Sequence, residues 1–77
     1  MSERALLAYR ALPNAIQAKT DKQFALLLQD VRHPSLHAKK YQGLDDVWQA
    51  RIDRSWRFYF PIVEPHYMIV SIIAHPK

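Results

Sequence analysis

The chain has 77 residues, no cysteine and a formal net charge of +4, and it is 49% hydrophobic and 12% aromatic. Those totals exclude more than one domain, a disulfide framework, a thiolate metal site and a disordered chain. No apolar run has the length of a signal peptide or the ~20 residues of a membrane span, so a cytoplasmic protein with no membrane partner is expected, and its positive balance suits a polyanion.

Ser2 is a good N-cap, with Glu3 in the first turn where negative charge is favoured. Ala5, Leu6, Tyr9 and Leu12 then recur at helical spacing. Pro13 breaks that helix and suits the opening of the next one. From Ala15 to Val31, the apolar residues Ile16, Phe24, Leu27, Leu28 and Val31 share a face with Thr20, which predicts an amphipathic helix of about four turns. The two helices make an αα-hairpin. His33-Pro34 ends the second helix, because a residue before proline avoids the α region. Residues 35–42 read as a loop with a helical turn or a short extended piece, followed by Gly43.

Val47 to Asp53 alternates as a strand, with Trp48, Ala50 and Ile52 on one side and Gln49, Arg51 and Asp53 on the other. Arg54-Ser55 is the turn. In the second strand Trp56, Phe58, Phe60 and Ile62 share a side, opposite Arg57 and Tyr59. Pro61 removes a ladder donor, so pairing weakens after Phe60. Glu64-Pro65-His66 turns the chain. Tyr67 to Ala74 is the last strand, apolar on both sides as in a central or doubly covered strand.

The helices must cover the aromatic side of this sheet. The expected fold is therefore one α+β domain over residues 1–77, an N-terminal αα-hairpin packed on a three-stranded antiparallel β-meander. Its other side carries Arg51, Arg57 and Tyr59 to solvent, and arginines so placed suit phosphate or carboxylate. The plainer alternative pairs them with Asp53 or Glu64, an arrangement worth little. Lys39-Lys40 is either part of the same cationic surface or an ordinary solvated pair. His33 and His37 are four apart, but Pro34 keeps them off a shared helical turn, and no metal site is expected.

Four pieces of the chain together resemble the RelE/ParE superfamily of type II toxins: the paired helices, HPSLHAKKYQG, VWQARIDRSWRFYF and IVSIIAHPK. The resemblance is to the RelE-like branch and spans nearly the whole chain. It implies a toxin of a toxin–antitoxin system, a small basic endoribonuclease that cuts messenger RNA on the ribosome without metal or other cofactor. It also implies a cognate antitoxin laid over the cationic face. Arg51 and Arg57 match the family's arginines on the strand hairpin, and His75 matches a catalytic histidine at the end of the last strand. The family's usual first strand is missing here, which leaves a sheet edge open to a second copy of the chain. ParE-like members share the scaffold but poison DNA gyrase. A gyrase inhibitor, or a catalytically silent relative that binds only antitoxin or RNA, is the alternative.

Metal-free RNA cleavage needs a base for the ribose 2′-hydroxyl, an acid for the leaving 5′-oxygen and positive charge at the phosphorane. Under the resemblance His75 is the acid or base, since imidazole as a class titrates near working pH. Arg57 stabilises the transition state and Arg51 fixes the phosphate with its planar fork. Lys39 and Lys40 hold the flanking backbone. Trp48 and Tyr59 are the aromatic candidates for base stacking, with core packing the plainer reading of Trp48.

Overall fold

A computed structural model describes residues 1–41, 46–63 and 66–74. Helix α1 spans Glu3–Arg10 and α2 spans Asn14–Gln29. A single 3-10 turn follows at Pro34–Leu36. The strands are β1 (Lys39–Lys40), β2 (Val47–Arg51), β3 (Trp56–Val63), β4 (His66–Tyr67) and β5 (Ser71–Ala74). All pairings are antiparallel: β1 with β2, β2 with β3, and β3 with both β4 and β5. The expected αα-hairpin on a meander is therefore present, and β1 adds a short strand from the stretch read as a loop with an extended piece.

Local chemistry sets the ends of these elements. Ser2 caps α1, its Oγ accepting from the Ala5 amide at 3.1 Å, with Glu3 in the first turn and Arg10 in the last. Pro13 sits at the cap position of α2 and offers no side-chain bond there. Tyr9 ties the helices together by donating its hydroxyl to Asp21 at 2.6 Å. That bond, then burial, raises the Tyr9 pKa above its ordinary value. The hairpin between β2 and β3 is closed by Asp53, whose Oδ1 accepts from the amides of Ser55 (2.8 Å) and Trp56 (3.0 Å). This side-chain turn stands in for the Asn-Gly signal that the sequence lacks. The turn predicted at Glu64-Pro65 lies outside the described residues.

Both helices pack on the aromatic face. Phe58 and Phe60 are fully buried, and Phe24 of α2 meets Phe58 edge-on at 5.0 Å. Ala5, Leu12, Leu27, Leu36, Ala50, Ile52, Ile69 and Ile72 complete the core. Two expected core positions are corrected. Leu28 is 78% exposed and Leu6 is 38% exposed, because the stripe on each helix is wider than the small sheet beneath it. The buried polar positions of α2 are Thr20, bonded to the Ile16 carbonyl at 2.8 Å, and Gln23.

The last strand is also corrected. It is neither continuous nor doubly covered. Tyr67 faces Ile62 and Ser71 faces Tyr59, so Met68, Ile69 and Val70 stand opposite only Phe60 and Pro61. That extra residue is a β-bulge. It shifts the alternation, so that Ile69 and Ile72 both turn inward while Met68 and Ile73 are exposed. An apolar run on both faces is what one bulge produces. The bulge also receives the chain start, since the Ser2 amide donates to the Ile69 carbonyl at 2.8 Å and its hydroxyl to the Val70 carbonyl at 3.3 Å. Pairing is expected to weaken after Phe60, but the β2–β3 ladder takes in the Val47–Pro61 pair, where β2 begins, and β3 continues to Val63 by pairing with β4 on its other side. Among the described residues no strand pairs the outer edge of β5. No helix among them is long and apolar enough to cross a membrane.

Candidate functional site

Register decides which side chains share a face. Arg51 lies directly opposite Arg57, Gln49 opposite Tyr59, and Lys39 opposite Gln49. This set alternates with Ala50, Phe58 and Phe60, so it occupies the face that the helices leave bare. Arg51, Arg57, Lys39, Gln49 and His37 line a cavity of about 480 Å³. That volume is within the usual range for a ligand pocket.

Each guanidinium is held differently. Arg57 Nη1 donates to the Asp53 carbonyl at 2.6 Å and the Trp56 carbonyl at 3.0 Å, so the hairpin's own backbone aims it. Burial, then the charge of Arg51, lowers the Arg57 pKa from its ordinary value, with Tyr59 and Asp53 opposing. Arg51 Nη1 lies 3.5 Å from His37 Nε2, and Arg51 Nε is buried with no partner among the described residues. Of the two carboxylates that could neutralise the pair, Glu64 lies outside the described residues and Asp53 is engaged elsewhere. Asp53 Oδ2 is 3.4 Å from Lys19 Nζ, the one ion pair among the described residues. Burial alone would raise the Asp53 pKa, but the Ser55 amide, Lys19 and the Trp56 amide outweigh it and hold the carboxyl below its ordinary value. Two like charges directly opposite on a sheet repel. A buried donor without an acceptor is a further cost. An anion in the cavity would relieve the repulsion.

No protein-family model matches the chain, and no curated protein matches it either. Among solved structures, the isolated RelE toxin of E. coli aligns with a TM-score of 0.76 at 19% identity, over 99% of this chain and 81% of that one. The intact E. coli RelBE toxin–antitoxin complex gives the same score and identity, over 99% of this chain and 93% of its own. The chain has the RelE toxin fold. At that identity the likeness establishes the RelE scaffold, and what the site does has to be argued from its own residues.

On this RelE scaffold the residues singled out from sequence do not all converge. Arg51, Arg57 and Lys39 meet at the cavity. Tyr59 sits beside them on the same face, its ring edge-on to Tyr41 at 5.2 Å, and lines a second cavity of about 320 Å³ with Arg4, Tyr41 and Ile73. Burial, then Tyr41, raises the Tyr59 pKa against the pull of Arg57, so its hydroxyl keeps its proton at neutral pH. Lys40 and Trp48 pair with one another on the opposite face, where Trp48 packs against the core and Lys40 is exposed. His75 lies outside the described residues.

Two residues went unnoticed in the sequence. His37, weighed there only as a metal ligand, forms a wall of the cavity. It caps the 3-10 turn in a left-handed conformation, φ 47° and ψ 40°, which no residue pattern short of a glycine would have signalled. Gln23, a polar residue within α2, gives no signal of its own in the sequence. Its amide bridges the Ser35 carbonyl (3.1 Å) and the Arg51 carbonyl (2.8 Å), locking the turn that carries His37 against the strand that carries Arg51.

Proposed function

We propose that this chain is the toxin of a toxin–antitoxin pair, a cytoplasmic endoribonuclease that cuts ribosome-bound messenger RNA without a metal. The observation that carries the reading is the Arg51–Arg57 pair, opposed across a ladder on the bare face of a RelE scaffold and without a carboxylate partner among the described residues. Arg51 grips the phosphodiester. Arg57, fixed by two carbonyls, supports the charge that grows on the phosphorane oxygens, a role typically worth about 2.7–4 kcal/mol. Lys39 holds the flanking backbone, and Tyr59 offers a ring to an adjacent base at about 1–3 kcal/mol per stack. His75 serves as acid or base in this reading. The antitoxin supplies acidic groups to the same cationic face, and a second copy pairing along the free edge of β5 belongs to the reading as well.

Induced expression followed by primer extension on a reporter message tests this. The wild type should arrest growth and leave discrete cuts within ribosome-bound message, and Arg57→Ala should abolish both while remaining folded. Growth arrest with intact message and impaired supercoiling would replace the reading with gyrase inhibition. Binding that weakens with salt, without toxicity at any dose, would make the chain a silent relative.

A further inference from the structure

We infer that His37 is the general base of the cleavage reaction, taking the proton from the ribose 2′-hydroxyl of a phosphodiester held by Arg51 and Arg57. The inference rests on the endoribonuclease reading above and assigns within it a residue that sequence had set aside. Three observations converge on His37. It is exposed and lines the arginine cavity, so it can meet a substrate bound there. Its Nε2 lies 3.5 Å from Arg51 Nη1. Arginine carries donors only, so this contact is a hydrogen bond in the tautomer that keeps the lone pair on Nε2. A phosphate that takes over the guanidinium's donors frees that lone pair beside the bound phosphodiester, where a base for the 2′-hydroxyl is needed. Finally, the residue is held in the left-handed region, where a side chain with a Cβ is disfavoured. Departures of this kind gather where function needs a side chain aimed against local preference.

The surrounding bonds explain how the aim is kept. The His37 amide donates to the Pro34 carbonyl at 3.2 Å, and the His33 Nδ1 accepts from the Ser35 amide at 3.2 Å, closing the turn. Leu36 is fully buried beneath it, and Gln23 bonds the Ser35 carbonyl. The imidazole is thus presented by an anchored turn.

The step balances without any co-reactant. The 2′-oxygen gives its proton to His37 Nε2 and its electron pair to phosphorus. The P–O5′ bond breaks, and the 5′-oxygen leaves with that pair and takes a proton from water or from a second side chain. A 2′,3′-cyclic phosphate and a 5′-hydroxyl end result.

Glycine suits the left-handed position and removes only the imidazole. On ribosomes programmed with a defined message, His37→Gly should slow single-turnover cleavage by about 10²–10⁴-fold. Its thermal midpoint should equal or exceed that of wild type, and free imidazole should restore part of the rate. His37→Asn, which also tolerates the conformation, should show the same loss. Cleavage by either variant within threefold of wild type, while Arg57→Ala is inactive, overturns the assignment and leaves the endoribonuclease reading standing. A loss that imidazole does not restore also overturns it, because a purely structural histidine would behave that way. If the wild type itself cuts no message, the endoribonuclease reading fails and the assignment goes with it.

Discussion

Arg51 is where the energetic strain of the site is most plainly written. Its charge faces Arg57 across the ladder, and its Nε has no acceptor among the described residues. Removing the charge should therefore not harm the fold. Arg51→Gln should leave the unfolding free energy in urea unchanged or raise it by up to about 1 kcal/mol, while cleavage falls. A clear loss of stability would mean that the residue serves the fold instead. Asp53 shows the opposite behaviour. Its carboxyl is held below its ordinary value, so it favours the folded state when ionised. That contribution is complete above the unfolded value of about 3.9 and disappears as pH falls through the folded one. Asp53→Asn keeps an acceptor for the turn but has no charge to lose. The stability gap between wild type and Asp53→Asn, measured by urea denaturation from neutral pH downward, should close at acid pH. A gap that persists there would assign the effect to the turn bonds alone.

At the scale of elements, α2 does more than cover the sheet. Gln23 reaches from its buried face to two backbone carbonyls on separate segments. Gln23→Leu keeps the bulk and strands both acceptors, each worth about 1–3 kcal/mol when buried without a partner. Urea denaturation should show that loss, and the His37 amide should exchange faster with solvent. Unaltered exchange would show that the turn stands without this strut. The same region marks how far sequence could see. Alternation in Trp48-Ala50-Ile52 and Trp56-Phe58-Phe60 fixed the two faces, because a period of two has only one way to meet a covering helix layer. The bulge at residues 68–70 hid behind an apolar run, since an inserted residue turns a one-sided pattern into a two-sided one. The Gln23 strut and the His37 turn were illegible for another reason. Both depend on partners far along the chain, and neither changes the local pattern.

Seen as a whole molecule, the chain is a small RelE scaffold with one face sealed by helices and the other left cationic. A domain of this size buries only about 60% of the surface its unfolded chain exposes and has little stability to spare. Opposed arginines in such a domain are hard to account for unless they act on a ligand. The placement of Arg51 and Arg57 on one bare face was legible in sequence; their direct opposition, and the engagement of the Asp53 carboxylate by Lys19 and the turn amides, needed the register and the turn. The central claim is that these two side chains meet RNA phosphates. The most direct test is the salt dependence of binding to an uncleavable, 2′-deoxy-substituted RNA oligonucleotide, compared between wild type and Arg51→Gln/Arg57→Gln. Each phosphate contact contributes about 0.7 to the slope of log affinity against log salt on a single strand, so the double variant should bind more weakly with a slope shallower by about 1.4. An unchanged slope would contradict the claim.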